Sequence, residues 1–142
     1  MEINNNKLIE VTNKDIINGT FEIPNNIEII EHYCFDGCTN LQSINLPSSI
    51  TEIGYGTFEE CANLQSINIP NNITEIKEHA FDYCLNLQSL IVECGIQKIE
   101  NGAFRKCPKL DTIIVSENIV YIDLNKICEQ IQNTNETKHF NF

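Results

Sequence analysis

The sequence predicts a repeat solenoid. Parallel β-strands stack on its concave face, short strands and helical turns form its convex side, and a short helix caps its C-terminal end. Three observations carry this prediction. A 23-residue period runs without insertion or deletion through most of the 142 residues. Apolar residues fall in fixed columns of that period. One stretch of every unit alternates polar and apolar residues, as a half-buried strand does.

The dipeptides Ile23-Pro24, Leu46-Pro47 and Ile69-Pro70 stand 23 residues apart, and further steps reach Val92 and Val115. The four complete units read IPNNIEIIEHYCFDGCTNLQSIN, LPSSITEIGYGTFEECANLQSIN, IPNNITEIKEHAFDYCLNLQSLI and VECGIQKIENGAFRKCPKLDTII, and a fifth begins VSENIVYIDLNKI before departing. One apolar column holds Ile27, Ile50, Ile73, Ile96 and Ile119, and the next Ile30, Ile53, Ile76, Ile99 and Ile122. Phe35, Phe58, Phe81 and Phe104 form a third, with Ile127 in the fifth unit. Leu41, Leu64, Leu87 and Leu110 follow, then Ile44, Ile67, Leu90 and Ile113. No single coil encloses such residues by itself, so neighbouring coils must share one continuous core.

Within a unit, Ser43-Ile44-Asn45-Leu46 alternates as a strand, and Pro47 stops it because proline cannot donate to a central ladder. The stretch from about Ile50 to Cys61 has mixed apolar spacing around Gly54 and Gly56, which predicts a short strand or bend and one helical turn near Phe58. Residues 1–22 are expected to be an N-terminal cap that covers the first open strand edge. Residues 23–122 are the solenoid, with units starting near 23, 46, 69, 92 and 115. Residues 123–142 hold the C-terminal cap helix, with Leu124, Ile127, Cys128 and Ile131 on one face, and a tail.

These motifs resemble the leucine-rich repeats of the BspA-like, 23-residue class: a Leu-x-x-Ile-x-Leu-Pro strand, two Ile, Ala-Phe or Thr-Phe, then Cys-x-x-Leu. Residues 41–47 (LQSINLP), 64–70 (LQSINIP) and 80–87 (AFDYCLNL) carry the resemblance, which spans about residues 20–127. It implies a binding scaffold. Members of the class are often found on bacterial surfaces or in large families of parasitic protozoa.

Composition narrows the function. The length suits one domain, and a hydrophobic fraction of 42% is that of a folded chain. Counting gives 24 Ile and 20 Asn, the bias that AT-rich coding produces. The net charge is −11, which repels phosphate backbones and argues against nucleic acid as a partner. Residues 1–97 carry 3 basic and 14 acidic side chains, whereas 98–142 carry 6 of each. No apolar run approaches the ~20 residues that cross a membrane. Residues 1–10 have no apolar h-region, so a cytoplasmic location is expected, with the cell surface by an unrecognised route as the alternative.

Four of the seven cysteines, Cys38, Cys61, Cys84 and Cys107, occupy one column. A ladder along the solenoid axis cannot converge on a zinc ion, so these read as buried thiols, and no metal or cofactor is expected. Cys34 shares a small core column with Thr57, Ala80 and Ala103. Cys94 is the thiol expected to react most readily. His32, His79 and His139 occupy unequal positions with no nucleophile to serve, so no catalytic residue is assigned and no enzyme is expected. Glu59, Glu60 and the other isolated glutamates read as a solvated face.

The exposed strand columns are the candidate binding residues. They are Gln42, Gln65, Gln88 and Asp111; Ser43, Ser66, Ser89 and Thr112; and Asn45, Asn68, Ile91 and Ile114. Stacked amides and hydroxyls can serve a partner or hydrogen-bond along the stack, whereas Ile91 and Ile114 favour a contact with a protein partner or a second copy. Lys98, Arg105, Lys106 and Lys109 of the fourth unit read equally as a partner-facing patch or a solvated face. Lys138, Phe140 and Phe142 of the tail resemble the short docking motif by which regulators grip protein phosphatase 1. The function expected is protein–protein interaction through the concave sheet, with self-assembly into a homo-oligomer or phosphatase docking as alternatives.

Overall fold

The computed structural model describes residues 1–93 and 95–115. Among the described residues eleven strands follow in chain order: β1 (Glu2–Asn4), β2 (Lys7–Glu10), β3 (Thr20–Phe21), β4 (Ile29–Ile30), β5 (Ser43–Ile44), β6 (Glu52–Ile53), β7 (Ser66–Ile69), β8 (Glu75–Ile76), β9 (Ser89–Val92), β10 (Lys98–Ile99) and β11 (Thr112–Val115). The chain winds as a solenoid, and its main sheet has the order β11-β9-β7-β5-β3 with every pairing parallel. Register follows the 23-residue period: Ser43 faces Ser66, Ser66 faces Ser89, and Ser89 faces Thr112. Alternation then turns Ile44, Ile67, Leu90 and Ile113 inward, where all four are buried.

A second face carries the short strands in two groups, β1-β2-β4-β6 and β8-β10. β1 lies antiparallel on β2, and β2 runs parallel to β4, so the ladder starts before the first full unit. Between β6 and β8 the strand ladder is interrupted. A shallow groove of about 310 Å³ opens there, lined by Thr51, Glu52, Ile53, Thr74, Glu75 and Lys77, and Lys77 pairs with Glu52 across it.

Turns at the two bends have fixed chemistry. Pro24, Pro47 and Pro70 each offer a carbonyl to the N–H three residues later, on Ile27, Ile50 and Ile73. The expected helical turn near Phe58 takes the form of consecutive tight turns; Cys61 N–H, for example, donates to the Phe58 carbonyl. Two columns there adopt left-handed backbone: Tyr33, Gly56, His79 and Gly102, then Gly37, Glu60, Tyr83 and Lys106. Those reversals stop an α-helix from propagating. They also leave N–H groups free to reach the next coil, so Phe35, Phe58 and Phe81 donate to Thr57, Ala80 and Ala103.

The core is one continuous cluster of columns. Phe35, Phe58, Phe81 and Phe104 stack with ring centroids 5.1–5.4 Å apart and interplanar angles of 19°, 9° and 3°. Phe21 closes that stack edge-on at 5.4 Å from Phe35. The cysteine column does more than fill space. Each thiol donates to a carbonyl of the preceding coil: Cys38 to Val11, Cys61 to Phe35, Cys84 to Phe58 and Cys107 to Phe81, at 3.0–3.3 Å. Burial pushes the thiols of Cys38, Cys61 and Cys84 away from ionisation, Cys38 up to about 11, and does the same to Cys34 in the neighbouring column, up to about 12. Cys94, Cys128 and the expected C-terminal helix lie outside the described residues.

Candidate functional site

The concave sheet assembles the predicted binding columns on one surface. Gln42, Ser43, Asn45, Gln65, Ser66, Gln88, Asp111 and Ile114 are exposed; Asn68, Ser89 and Thr112 are half-buried. Ile91 stands on β9 and Ile114 on β11, directly paired in register, with 37% and 53% of their surfaces exposed. In the two preceding coils the same column carries Asn45 and Asn68, so the face changes from polar to apolar along the axis.

The sequence left two uses open for the amides and hydroxyls. Among the described residues, no side-chain hydrogen bond joins Gln42, Gln65 and Gln88 to one another, nor Ser43, Ser66 and Ser89. Thr112 instead donates to its neighbour Asp111 at 2.9 Å. Asn68 donates through Nδ2 to Glu93 at 3.0 Å, while its Oδ1 is buried without a hydrogen-bond partner. The polar columns therefore keep their hydrogen-bonding capacity on the surface. Side-chain laddering occurs elsewhere, in a column that sequence reasoning passed over: Asn63 donates to the Thr39 carbonyl, and Asn86 donates to the Ala62 carbonyl and to Asn63 Oδ1.

Charges on the convex side are organised more tightly than a solvated face requires. Asp82 is fully buried, and Arg105 of the next coil holds it through Nε and Nη2. The pair raises the guanidinium pKa by hydrogen bonding to Asp82. Arg105 also lies over the Tyr83 ring at 5.9 Å. His79 Nδ1 stands 2.9 Å from Asp82 Oδ2. Glu59 is half-buried, and its pKa is raised, chiefly by burial, with Asp82 and Asp36 adding to the effect and His79 opposing it. The reading of Glu59 as a solvated acid is corrected accordingly: the 23-residue stack places it between Asp36 and Asp82. The donor atoms of Glu59, His79 and Asp82 all fall within 4.8 Å of one another. The signal was present as a column that runs Asp36, Glu59, Asp82, Arg105, in which a base meets a ladder of acids.

The basic residues of the fourth unit are largely engaged within the fold. Lys98 bonds Glu75 and Glu100, both at 2.7 Å, and those carboxylates raise its pKa, Glu100 most. Lys109 bonds Asn86 Oδ1. Lys106 is exposed on left-handed backbone. The tail residues Lys138, Phe140 and Phe142 lie outside the described residues, and so does His139. Among the described residues, no helix is long and apolar enough to cross a membrane.

Six copies of the BspA-type leucine-rich repeat region match residues 13–133. No curated protein matches the chain. Among solved structures, a leucine-rich cell-surface protein from Faecalibacterium prausnitzii is 39% identical over 67% of this chain, with a TM-score of 0.65. A leucine-rich repeat protein from T. pallidum is 29% identical over 74% of the chain, with a TM-score of 0.64. The pneumococcal vaccine antigen PcpA is 23% identical over 80%, with a TM-score of 0.73, a likeness of fold alone. This chain spans 25%, 51% and 28% of the lengths of those three.

Proposed function

Because the chain belongs to the BspA-type leucine-rich repeat family, we propose that it is a protein-binding module whose concave sheet receives a partner protein. The observation that carries this reading is the pair Ile91 and Ile114, adjacent on neighbouring strands and open to solvent. Beyond their cross-strand contact the two isoleucines leave apolar surface open to water, and a partner that covers them gains their burial, roughly 25 cal/mol per Å² removed from water. Gln42, Gln65, Ser43 and Ser66 would then read the partner's polar groups. Affinity comes from the apolar end and specificity from the polar end.

The test is affinity capture from native lysate with the wild type beside the Ile91→Glu/Ile114→Glu variant. Both positions are exposed but paired in register, so the two glutamates repel each other and circular dichroism must verify that the variant keeps its fold. Loss of a partner set from the variant supports the reading; recovery of the same partners by both proteins removes the patch from consideration. Sedimentation across concentration separates a foreign partner from a second copy, because self-association through this patch would disappear in the same variant. The Faecalibacterium relative is described as a cell-surface protein, and protease treatment of intact cells decides whether this face is presented outside the cell or within it.

A further inference from the structure

We propose that Glu59, His79 and Asp82 form a site for a divalent transition-metal ion of the zinc type, on the convex side and away from the concave sheet. The three side chains come from turns of two successive coils. Glu59 belongs to the second unit, and His79 and Asp82, three residues apart, to the third. Their ligand atoms already lie within 4.8 Å of one another, and His79 Nδ1 and Asp82 Oδ2 are separated by 2.9 Å. Zinc bonds to imidazole and carboxylate of about 2.0–2.2 Å put neighbouring tetrahedral ligand atoms roughly 3.3 Å apart. Opening the His79–Asp82 contact by a few tenths of an ångström therefore admits an ion in place of the shared proton.

The donor set chooses the class of ion. One imidazole with two carboxylates suits zinc, cobalt or nickel, whereas calcium and magnesium take oxygen donors alone. Asp82 is fully buried, and the Arg105 guanidinium grips it from the far coil, fixing the plane of the carboxylate. Ligating carboxylates are ordinarily held in that way by an outer hydrogen-bond donor. Glu59 supplies the independent reason for a cation. It is half-buried, its carboxylate makes no hydrogen bond or ion pair among the described residues, and it stands between Asp36 and Asp82 in one column. Three stacked carboxylates meet a single guanidinium, and a divalent ion at Glu59 offsets the remainder. A fourth coordination position is left to water.

The variants can be chosen from the repeat itself. His79 sits at φ 58 in a column where Gly56 and Gly102 adopt φ 55 and 73, so His79→Gly removes the imidazole and suits the backbone. Glu59→Gln keeps shape and removes charge. The full chain is titrated with Zn²⁺ by calorimetry and with Co²⁺ by visible absorption, and circular dichroism verifies the fold of each variant. Expected are one ion per chain, a tetrahedral cobalt spectrum with no thiolate charge-transfer band, and at least tenfold weaker binding in each variant. Even the loss of an outer partner costs metal sites roughly 10- to 100-fold. The proposal is overturned if no saturable binding occurs, if His79→Gly takes up the ion as well as wild type, or if the cobalt spectrum reports cysteine ligands.

Discussion

Arg105→Ala should be among the most damaging substitutions at a side chain that reaches solvent. Asp82 has no exposed surface, and Arg105, half-exposed, contacts both of its oxygens while His79 reaches only one. Removing the guanidinium leaves a buried carboxylate with one partner. Breaking a buried pair from one side costs about 3–5 kcal/mol, and water entering from the Arg105 side places this case near 3 kcal/mol. The lost stacking of Arg105 over Tyr83, at 5.9 Å, adds roughly 0.5 kcal/mol. For a chain of this size 3 kcal/mol lowers Tm by about 10–12 °C. Thermal melts of wild type, Arg105→Ala, Asp82→Asn and the double variant complete a cycle. Since most of the cost is the stranded charge, Asp82→Asn should restore part of the stability lost in Arg105→Ala, with a coupling of about 1–3 kcal/mol. Additive effects, or an Arg105→Ala melt within a degree or two of wild type, would refute the reasoning.

Three further outcomes follow from the stack. Phe58→Ala should cost about 3–5 kcal/mol, because a fully buried ring is lost between neighbours at 5.1 and 5.4 Å, while Phe58→Leu should cost visibly less; urea unfolding measures both. Gly54→Ala should destabilise far more than Gly37→Ala. A Cβ at Gly54 would meet the His32 backbone nitrogen at 2.5 Å, whereas one at Gly37 meets nothing within 4 Å and bears only the cost of φ 65, about 1 kcal/mol. The thiols Cys34, Cys38, Cys61 and Cys84 keep their protons in the fold at pH values where the unfolded chain has released them. Their folded values lie above the ordinary 9.0, so their contribution is fully present below pH 9 and is lost as pH rises toward about 11 and beyond. Stability should therefore fall above pH 9 by up to ~1.4 kcal/mol per pH unit for each such thiol, and Cys61→Ala should flatten that slope; an unchanged slope contradicts the assignment.

Most of the fold was legible because translation by 23 residues makes each buried column repeat its chemistry. Phe35, Phe58, Phe81 and Phe104 could be placed inside before any coordinates, since no single coil buries a phenyl ring alone and each needs the next. The strand columns were legible for the related reason that Pro47 and Pro70 mark where each strand must end. Two features were not. The cysteine thiols donate to backbone carbonyls of the preceding coil, which residue type does not announce. The burial of Asp82 has no local signal, because it depends on Arg105, one coil and 23 residues away.

A stack of identical coils must also solve a problem that a single coil does not have, and its departures from periodicity are informative for that reason. Identical apolar or amide side chains stack favourably, as the phenylalanines and Asn63 with Asn86 do. Identical charges cannot, since like groups in register repel. Glu52 and Glu75 share a column and are answered by Lys77 and Lys98; Asp82 is answered by Arg105. Charge alternation of that kind is a requirement of the fold and does not by itself point to a partner protein. Ile91 and Ile114 are different. They stand in the column that carries Asn45 and Asn68 in the two preceding coils, and both keep exposed surface that the core does not use. A departure that charge balance does not demand and the core does not use is the one whose purpose lies outside the chain. On that ground the two isoleucines, rather than the basic residues beside them, are where binding to a partner should first be sought.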